Sequence, residues 1–325
     1  AKSSMSDMGG DLASASKNPG NRQSLPPATD NKLPVIYGQA WVGGAITDMS
    51  ISSNNQWMQW VIALTEVTDN GNDSITFGDI YFGGRKVIFD TTTTYKVTGL
   101  QDPSTGITDD AVNGKLYIYL YHNGSNNPAN SPYTAMDIMR GQGSFPVTLT
   151  YLWTAEQSMT NCAFAIVQMN YSQDANLTAL QQMKFQITNS RSSPGDCFLD
   201  YFTNTTYGAG LTIDQVDTSS LDVLNTYSNE PFTYTQSGGG TATQNRFAFN
   251  GVIDTNRAIM DNLQEMATSC DCLIKYNEIT GLWGVIVQQP TYSIAININD
   301  SNMIGAITIS PTDISNAFNT VSYTH

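Results

Sequence analysis

The chain has 325 residues, 40% of them hydrophobic, enough for about two domains at roughly 150 residues each, so global disorder is excluded. Its 28 Asp and Glu against 14 Lys and Arg leave a formal charge of −14, while only 13% of residues are charged, against about 25% in an average soluble domain. That balance excludes an ordinary nucleic-acid binder, which needs a Lys/Arg surplus to release counterions from phosphates.

A surface with so few charges is largely neutral-polar, and the abundant Thr, Tyr, Val and Ile favour β structure. Residues 1–32 read as an arm: Gly9-Gly10, Asn18-Pro19-Gly20 and Pro26-Pro27 belong to a composition that cannot bury enough apolar surface to offset ordering entropy. Such an arm either orders against a neighbouring subunit or remains a flexible tail. It contains no apolar stretch suited to a signal-peptide core, and nowhere does the chain offer the roughly 18 consecutive apolar residues of a spanning helix. A soluble protein with no membrane-spanning segment is expected.

Residues 33–190 predict a β-rich unit. The strand-like segment 35–46 is interrupted by Gly38 and Gly43-Gly44, which points to bulges or close backbone approach. A strand over 57–67 follows, then a loop through Asp69, Asn70, Gly71, Asn72 and Asp73, residues tolerant of positive φ. Residues 75–82 and 86–89 around Gly83-Gly84 predict a hairpin. Residues 115–122 place Tyr117, Tyr119 and Tyr121 on one face by alternation. Strands over 147–153, 162–171 and 184–188 complete the unit, with one short helix over 134–139.

Residues 191–325 change rhythm and predict an α+β unit. Ser193-Pro194-Gly195-Asp196 is a helix start before Phe198, Leu199, Tyr201 and Phe202. A second helix begins near Asp217 with Leu221, Leu224 and Tyr227 or Ser228 on its face. The strongest helical pattern runs over 255–271, where Ile259, Leu263, Met266, Ala267 and Cys270 form an apolar face. Before it, Phe247, Phe249, Gly251 and Ile253 alternate as a strand; after it, 273–276 and 282–287 form a hairpin around Thr280-Gly281. Strands over 294–298, 304–309 and 320–323 end the chain without a cap, which points to a natural polypeptide continuing past His325. The expected fold class is therefore α+β, predominantly β.

Chemistry-bearing residues are sparse. The two histidines, His122 and His325, give a nucleophilic triad few members, and His122 reads as an exposed strand-end residue. Cys270-Asp271-Cys272 lacks the second ligand pair of a tetrahedral metal site, and Cys162, Cys197, Cys270 and Cys272 read as reduced thiols. Asp109-Asp110 and the Asp214/Asp217 set could supply a hydrolase's two carboxylates, but solvated loop acids are the commoner outcome. Gly238-Gly239-Gly240 lacks the following GK[ST] and helix of a phosphate loop and reads as a loop tip. Sequons at Asn176 and Asn204 mean little in so Ser/Thr/Asn-rich a chain. Trp41, Trp57, Trp60, Tyr117, Tyr119 and Tyr121 would serve either a sugar-stacking face or a β core. No catalytic, cofactor-binding or metal residue is assigned, and no cofactor is expected.

Three segments together carry a family resemblance. Leu33-Pro34-Val35-Ile36-Tyr37-Gly38 with Val42-Gly43-Gly44 resembles the opening of tail tip hub proteins of tailed bacteriophages, the lambda protein J-like family. Asn189-Ser190-Arg191, Pro194-Gly195-Asp196, Asp200-Tyr201-Phe202-Thr203-Asn204 and Tyr207-Gly208-Ala209-Gly210 are similar to the family's helix and turn, and Phe249-Asn250-Gly251-Val252-Ile253-Asp254-Thr255 to its strand-to-helix element. The resemblance implies a multi-domain, ring-forming virion protein without enzymatic activity. It implies a homotrimer at the distal end of the tail, made in the bacterial host cytoplasm, that caps or continues the tail tube. It further implies contacts with the distal tail protein, the tape-measure protein and tail fibres or a receptor-binding protein, a part in host attachment, and DNA passing at ejection without specific binding. The family's long C-terminal adhesin regions have no counterpart here. A carbohydrate-binding adhesin and a cell-wall hydrolase are the alternatives.

Overall fold

The apolar run at 57–66 becomes a strand buried on both faces, and the rest of the β structure is arranged around it. The computed structural model describes residues 21–22, 32–141, 153–154, 156–289, 297–299 and 301–305. In chain order these form β1 (Asn21–Arg22), β2 (Val35–Tyr37), β3 (Gln39–Val42), β4 (Ala45–Ile51), β5 (Trp57–Glu66), β6 (Ile75–Phe82), β7 (Arg85–Phe89), β8 (Val97–Gln101), β9 (Thr108–Asp109) and β10 (Leu116–Tyr121). Then come α1 (Ala135–Met139), β11 (Cys162–Asn170), β12 (Met183–Asn189), α2 (Pro194–Thr203) and α3 (Thr218–Ser228). The last elements are β13 (Pro231–Thr235), β14 (Thr241–Asn245), β15 (Gly251–Ile253), α4 (Ile259–Ser269), β16 (Cys272–Asn277) and β17 (Leu282–Val287). The chain is predominantly β with a minority of helix, as its composition predicts.

A seven-stranded sheet has the order β1-β3-β12-β6-β7-β8-β9, and a six-stranded sheet the order β10-β11-β5-β2-β15 with β4 also paired to β5. They enclose the largest core, in which Val42, Phe82, Phe185 and Ile187 from the first sheet meet Ile62, Leu64, Ile118 and Val167 from the second. Alternation explains how β10 serves two cores: Leu116, Ile118 and Leu120 join this one, while Tyr119 and Tyr121 point the other way into a core closed by α1 and Trp153. A third core joins α2, α3, α4 and the β16–β17 hairpin, and it includes Val35 and Tyr37 of β2. β15, although far along the chain, is therefore the last strand of the six-stranded sheet, pairing with β2 through Gly251↔Tyr37, Val252↔Ile36 and Ile253↔Val35.

Local sequence signals account for several elements. Gly83 and Gly84 adopt φ of 57° and 79°, as the primed two-residue hairpin turn requires. Asp69, Asn70 and Gly71 take positive φ where the loop was expected. Thr134 and Asp137 form a reciprocal capping box at α1, Pro194 opens α2, and the Asp217 side chain caps α3 through the Ser220 amide.

The structure also departs from expectation. α4 begins at Ile259 rather than near 255, because Asp254 closes a turn instead: its carboxylate accepts from the Asn256 amide at 3.0 Å and its carbonyl from the Arg257 amide at 3.1 Å. Ile259 is thereby 39% exposed and leaves the apolar face to Leu263, Met266, Ala267 and Cys270. Phe247 and Phe249 are not in a strand. Their amides bond to Ser228 and Ser192 carbonyls at 3.1 and 2.8 Å, outside any sheet ladder. The strand expected at 147–153, apart from Trp153, and most of those at 294–298, 304–309 and 320–323 lie outside the described residues; residues 297–299 and 301–305 carry no strand. Of the arm, the described pair Asn21–Arg22 runs parallel to β3.

Gly38 is where the chain leaves one sheet for the other. β2 lies in the six-stranded sheet and β3 in the seven-stranded one, and the single residue between them has φ of +62°. A Cβ there would fall 1.9 Å from the Phe249 carbonyl oxygen. Gly38→Ala should cost at least about 2 kcal/mol, from left-handed strain plus that clash, whereas Gly84→Ala, at φ of +79° with nothing within 4 Å, should cost about 1 kcal/mol. Urea midpoints at unchanged slope measure both, and equal losses would refute the close-approach account.

Candidate functional site

The densest polar network joins residues far apart in sequence. Asp200, on α2 and only 7% exposed, accepts from the Tyr37 and Tyr207 hydroxyls at Oδ2, both at 2.7 Å, and from the Asp69 amide at Oδ1 at 3.1 Å. The left-handed turn at Asp69 presents that amide. Arg191 lies alongside: its Nε donates to Asp73 Oδ2 at 2.6 Å, its Nη2 lies 3.5 Å from Asp69 Oδ2, and its Nη1 donates to the Asp196 carbonyl at 3.2 Å. Asn189 completes the junction, its Nδ2 donating to the Ile36 carbonyl and to Thr68 Oγ1, each at 2.8 Å.

The backbone is tied at the same place. The Gly38 amide donates to the Arg191 carbonyl and the Asn189 amide to the Gly38 carbonyl, both at 2.8 Å, and Asn250 Oδ1 accepts from the Gln39 amide at 2.9 Å. Gly208 is packed so closely that a Cβ would lie 2.1 Å from the Tyr201 carbonyl oxygen. Tyr201 in turn receives Asn262 Nδ2 from α4 at 2.8 Å.

The chemistry of this junction is that of a clamp. Burial, and then the Asp200 charge, hold the Tyr37 and Tyr207 hydroxyls well above the usual tyrosine range, so both stay protonated and donate. Beside Tyr37, between β15 and α4, runs an apolar groove of about 210 Å³ lined by Tyr37, Phe249, Val252, Asn262 and Met266. Glu265 at its rim is paired with Arg257.

The residues singled out from sequence do not assemble into a reactive site. Asp109 is exposed, and its carboxyl is held below the usual range by the Ala111 amide and by Arg85 at 2.9 Å, the reverse of what a general acid needs. Asp217 is occupied in capping α3, and Asp214 is exposed. His122 is half-buried rather than exposed, because its Nδ1 sits 2.5 Å from the Ile75 carbonyl oxygen and its ring beside Phe77. Trp57 and Trp60 are only 7% and 6% exposed, Tyr119 and Tyr121 fully buried, and half-buried Trp41 packs edge-on against Tyr81. Trp60, Tyr119 and Tyr121 belong to the cores, and Tyr117 is half-buried against one of them. Gly238–Gly240 form the tip of the β13–β14 hairpin, which sequence reasoning missed. Among the described residues no group of three or more His, Cys, Asp or Glu is placed to hold a metal ion, and no helix is long and apolar enough to cross a membrane.

No protein-family model and no curated protein matches the chain. Among solved structures, a chain in the virion of a native gene transfer agent particle is similar over 51% of this chain and 28% of that chain, with 12% identity and a TM-score of 0.28. A likeness that faint carries no argument about fold or function.

Removing the shared acceptor should be far costlier than removing one donor. Asp200→Ala strands two buried hydroxyls and should lose roughly 3 kcal/mol, whereas Tyr207→Phe should lose about 1–2 kcal/mol, with the double variant falling short of the sum. Additive losses in chemical denaturation would mean that the network is not a unit. The four cysteines are free and buried, and burial pushes the Cys162 thiol up to about 12. All four should ignore a disulfide reagent at neutral pH until the chain is unfolded. Rapid labelling of the native protein would contradict this.

Proposed function

We propose that this chain is a structural component of a phage-like virion, and within it the trimeric tail tip hub that caps or continues the tail tube and anchors receptor-binding fibres. One observation carries the reading. The segments that resemble the hub family are scattered from Leu33 to Thr255, yet Tyr37, Gly38, Asn189, Arg191, Asp200, Tyr207, Gly208 and Phe249 converge on one junction. Chance matches have no reason to meet at one junction; the architectural core of a family does.

On this reading residues 33–190 and 191–325 are the two hub units, with residues 1–32 as an arm reaching a neighbour. The partners are two further copies, the distal tail and tape-measure proteins, and fibres or a receptor-binding protein. Three copies would triple the charge of −14, and a share of it lining a channel would keep DNA from adhering as it passes. No catalytic step is assigned.

Antibodies against the chain should mark the distal end of the tail in micrographs of particles from cells that encode it. Deleting its gene should leave heads without functional tails. Labelling of the head, or normal infective particles after deletion, would overturn the proposal.

A further inference from the structure

Among the described residues the β13–β14 ribbon is a two-stranded sheet with no third strand, an arrangement that is marginal in water when left alone. Its root is firmly held. Arg246 pairs with Glu230 at 2.9 Å and lies 4.5 Å over the Tyr227 ring at the end of α3, and the Arg246 and Phe247 amides bond to the Glu230 and Ser228 carbonyls, each at 3.1 Å. Beyond this root every residue from Pro231 to Asn245 is exposed except half-buried Tyr234 and Ala242. Register puts Phe232, 48% exposed, on one face with Gln244, Tyr234 and Ala242, and Thr233, Thr243, Thr235 and Thr241 on the other.

Two properties say what covers it. First, residues 231–245 contain no Asp, Glu, Lys or Arg. The edge strand β4, which among the described residues pairs with β5 alone, carries Asp48 and a register shift beside it, devices that discourage strand addition. The ribbon has neither. Second, a chain of charge −14 repels its own copies wherever acids lie on the surface, so like copies meet most readily where charge is absent; a basic foreign partner would be steered to the acids instead.

We infer that the ribbon pairs edge to edge with the same ribbon of a second copy of this chain. β13 of one copy lies beside β14 of the next, so each copy uses both edges and the set can close. With the three copies of the hub reading, on which the number alone rests, the ribbons make a closed six-stranded β structure with no edge left over.

The full-length chain should be followed by hydrogen exchange and light scattering from dilute to concentrated solution. Amides of residues 231–245 should exchange rapidly when dilute and become protected as mass rises above that of one chain. Thr233→Asp places a charged side chain at every junction, which discourages strand addition, and should raise the concentration of half-assembly by roughly tenfold or more, with near-ultraviolet circular dichroism unchanged. Thr233→Val, equally β-prone, should assemble like the parent. Assembly unaffected by Thr233→Asp would overturn the ribbon as the contact while leaving the hub reading intact. Protection independent of concentration would mean that the chain's own residues cover the ribbon, and protection found only inside particles would mean a foreign partner; either overturns the inference. So would a monomer with an unprotected ribbon at every concentration, the hub reading then being judged by where antibodies bind the particle.

Discussion

A single carboxylate, that of Asp200, organises the centre of the molecule. It takes hydrogen bonds from a strand in the first part of the sequence, from the turn that follows its own helix, and from the amide of left-handed Asp69 in the turn after β5. A half-satisfied buried acid would be a liability, since desolvation costs more than any one bond returns. With three donors and a neighbouring guanidinium it becomes a specific fastening. The sheets position Tyr37, α2 positions Asp200, and the third core forms around both.

The shortage of charge elsewhere gives this network its weight. With 13% charged residues, few ion pairs are available, and most of those described are at the surface, where such pairs contribute little. The Arg191–Asp73 pair is an exception, both side chains being 16% exposed. Stability rests on three apolar cores, and the polar junction supplies the uniqueness of their arrangement. Gln59 and Gln168, fully buried and bonded to each other at 2.8 Å across β5 and β11, add a second polar register mark within the six-stranded sheet.

Much of the fold was legible wherever burial imprinted a period. The run through β5, the tyrosine alternation of β10, the Gly83-Gly84 turn and the stripes of α2 and α3 each follow from local chemistry. The elements missed share a cause. β8, β9 and the β13–β14 ribbon are short, and the ribbon is exposed on both faces, so Thr and Gln stand where alternation would place apolar residues. At Phe247 and Phe249 the alternation was present, but amides committed to distant carbonyls overrode it. The junction could not be read from spacing at all, because Tyr37 and Asp200 lie 163 positions apart. Only the resemblance of separate motifs hinted that these residues belong together, and of the aromatic residues that looked like a binding face Trp60, Tyr119 and Tyr121 were core.

The pairing of β2 with β15 sets an order of events during synthesis. Val35 and Tyr37 leave the ribosome early, but the strand and core that cover them include Phe249 and residues 251–253. At a synthesis rate of about 5–20 residues per second, that interval lasts roughly 10–40 s. Throughout it the six-stranded sheet ends at β2, with an open edge and two large apolar side chains awaiting cover. Vectorial folding of this chain thus leaves its most interlocked strand unfinished the longest, and a nascent chain stalled before β15 is the species that a holding chaperone would meet.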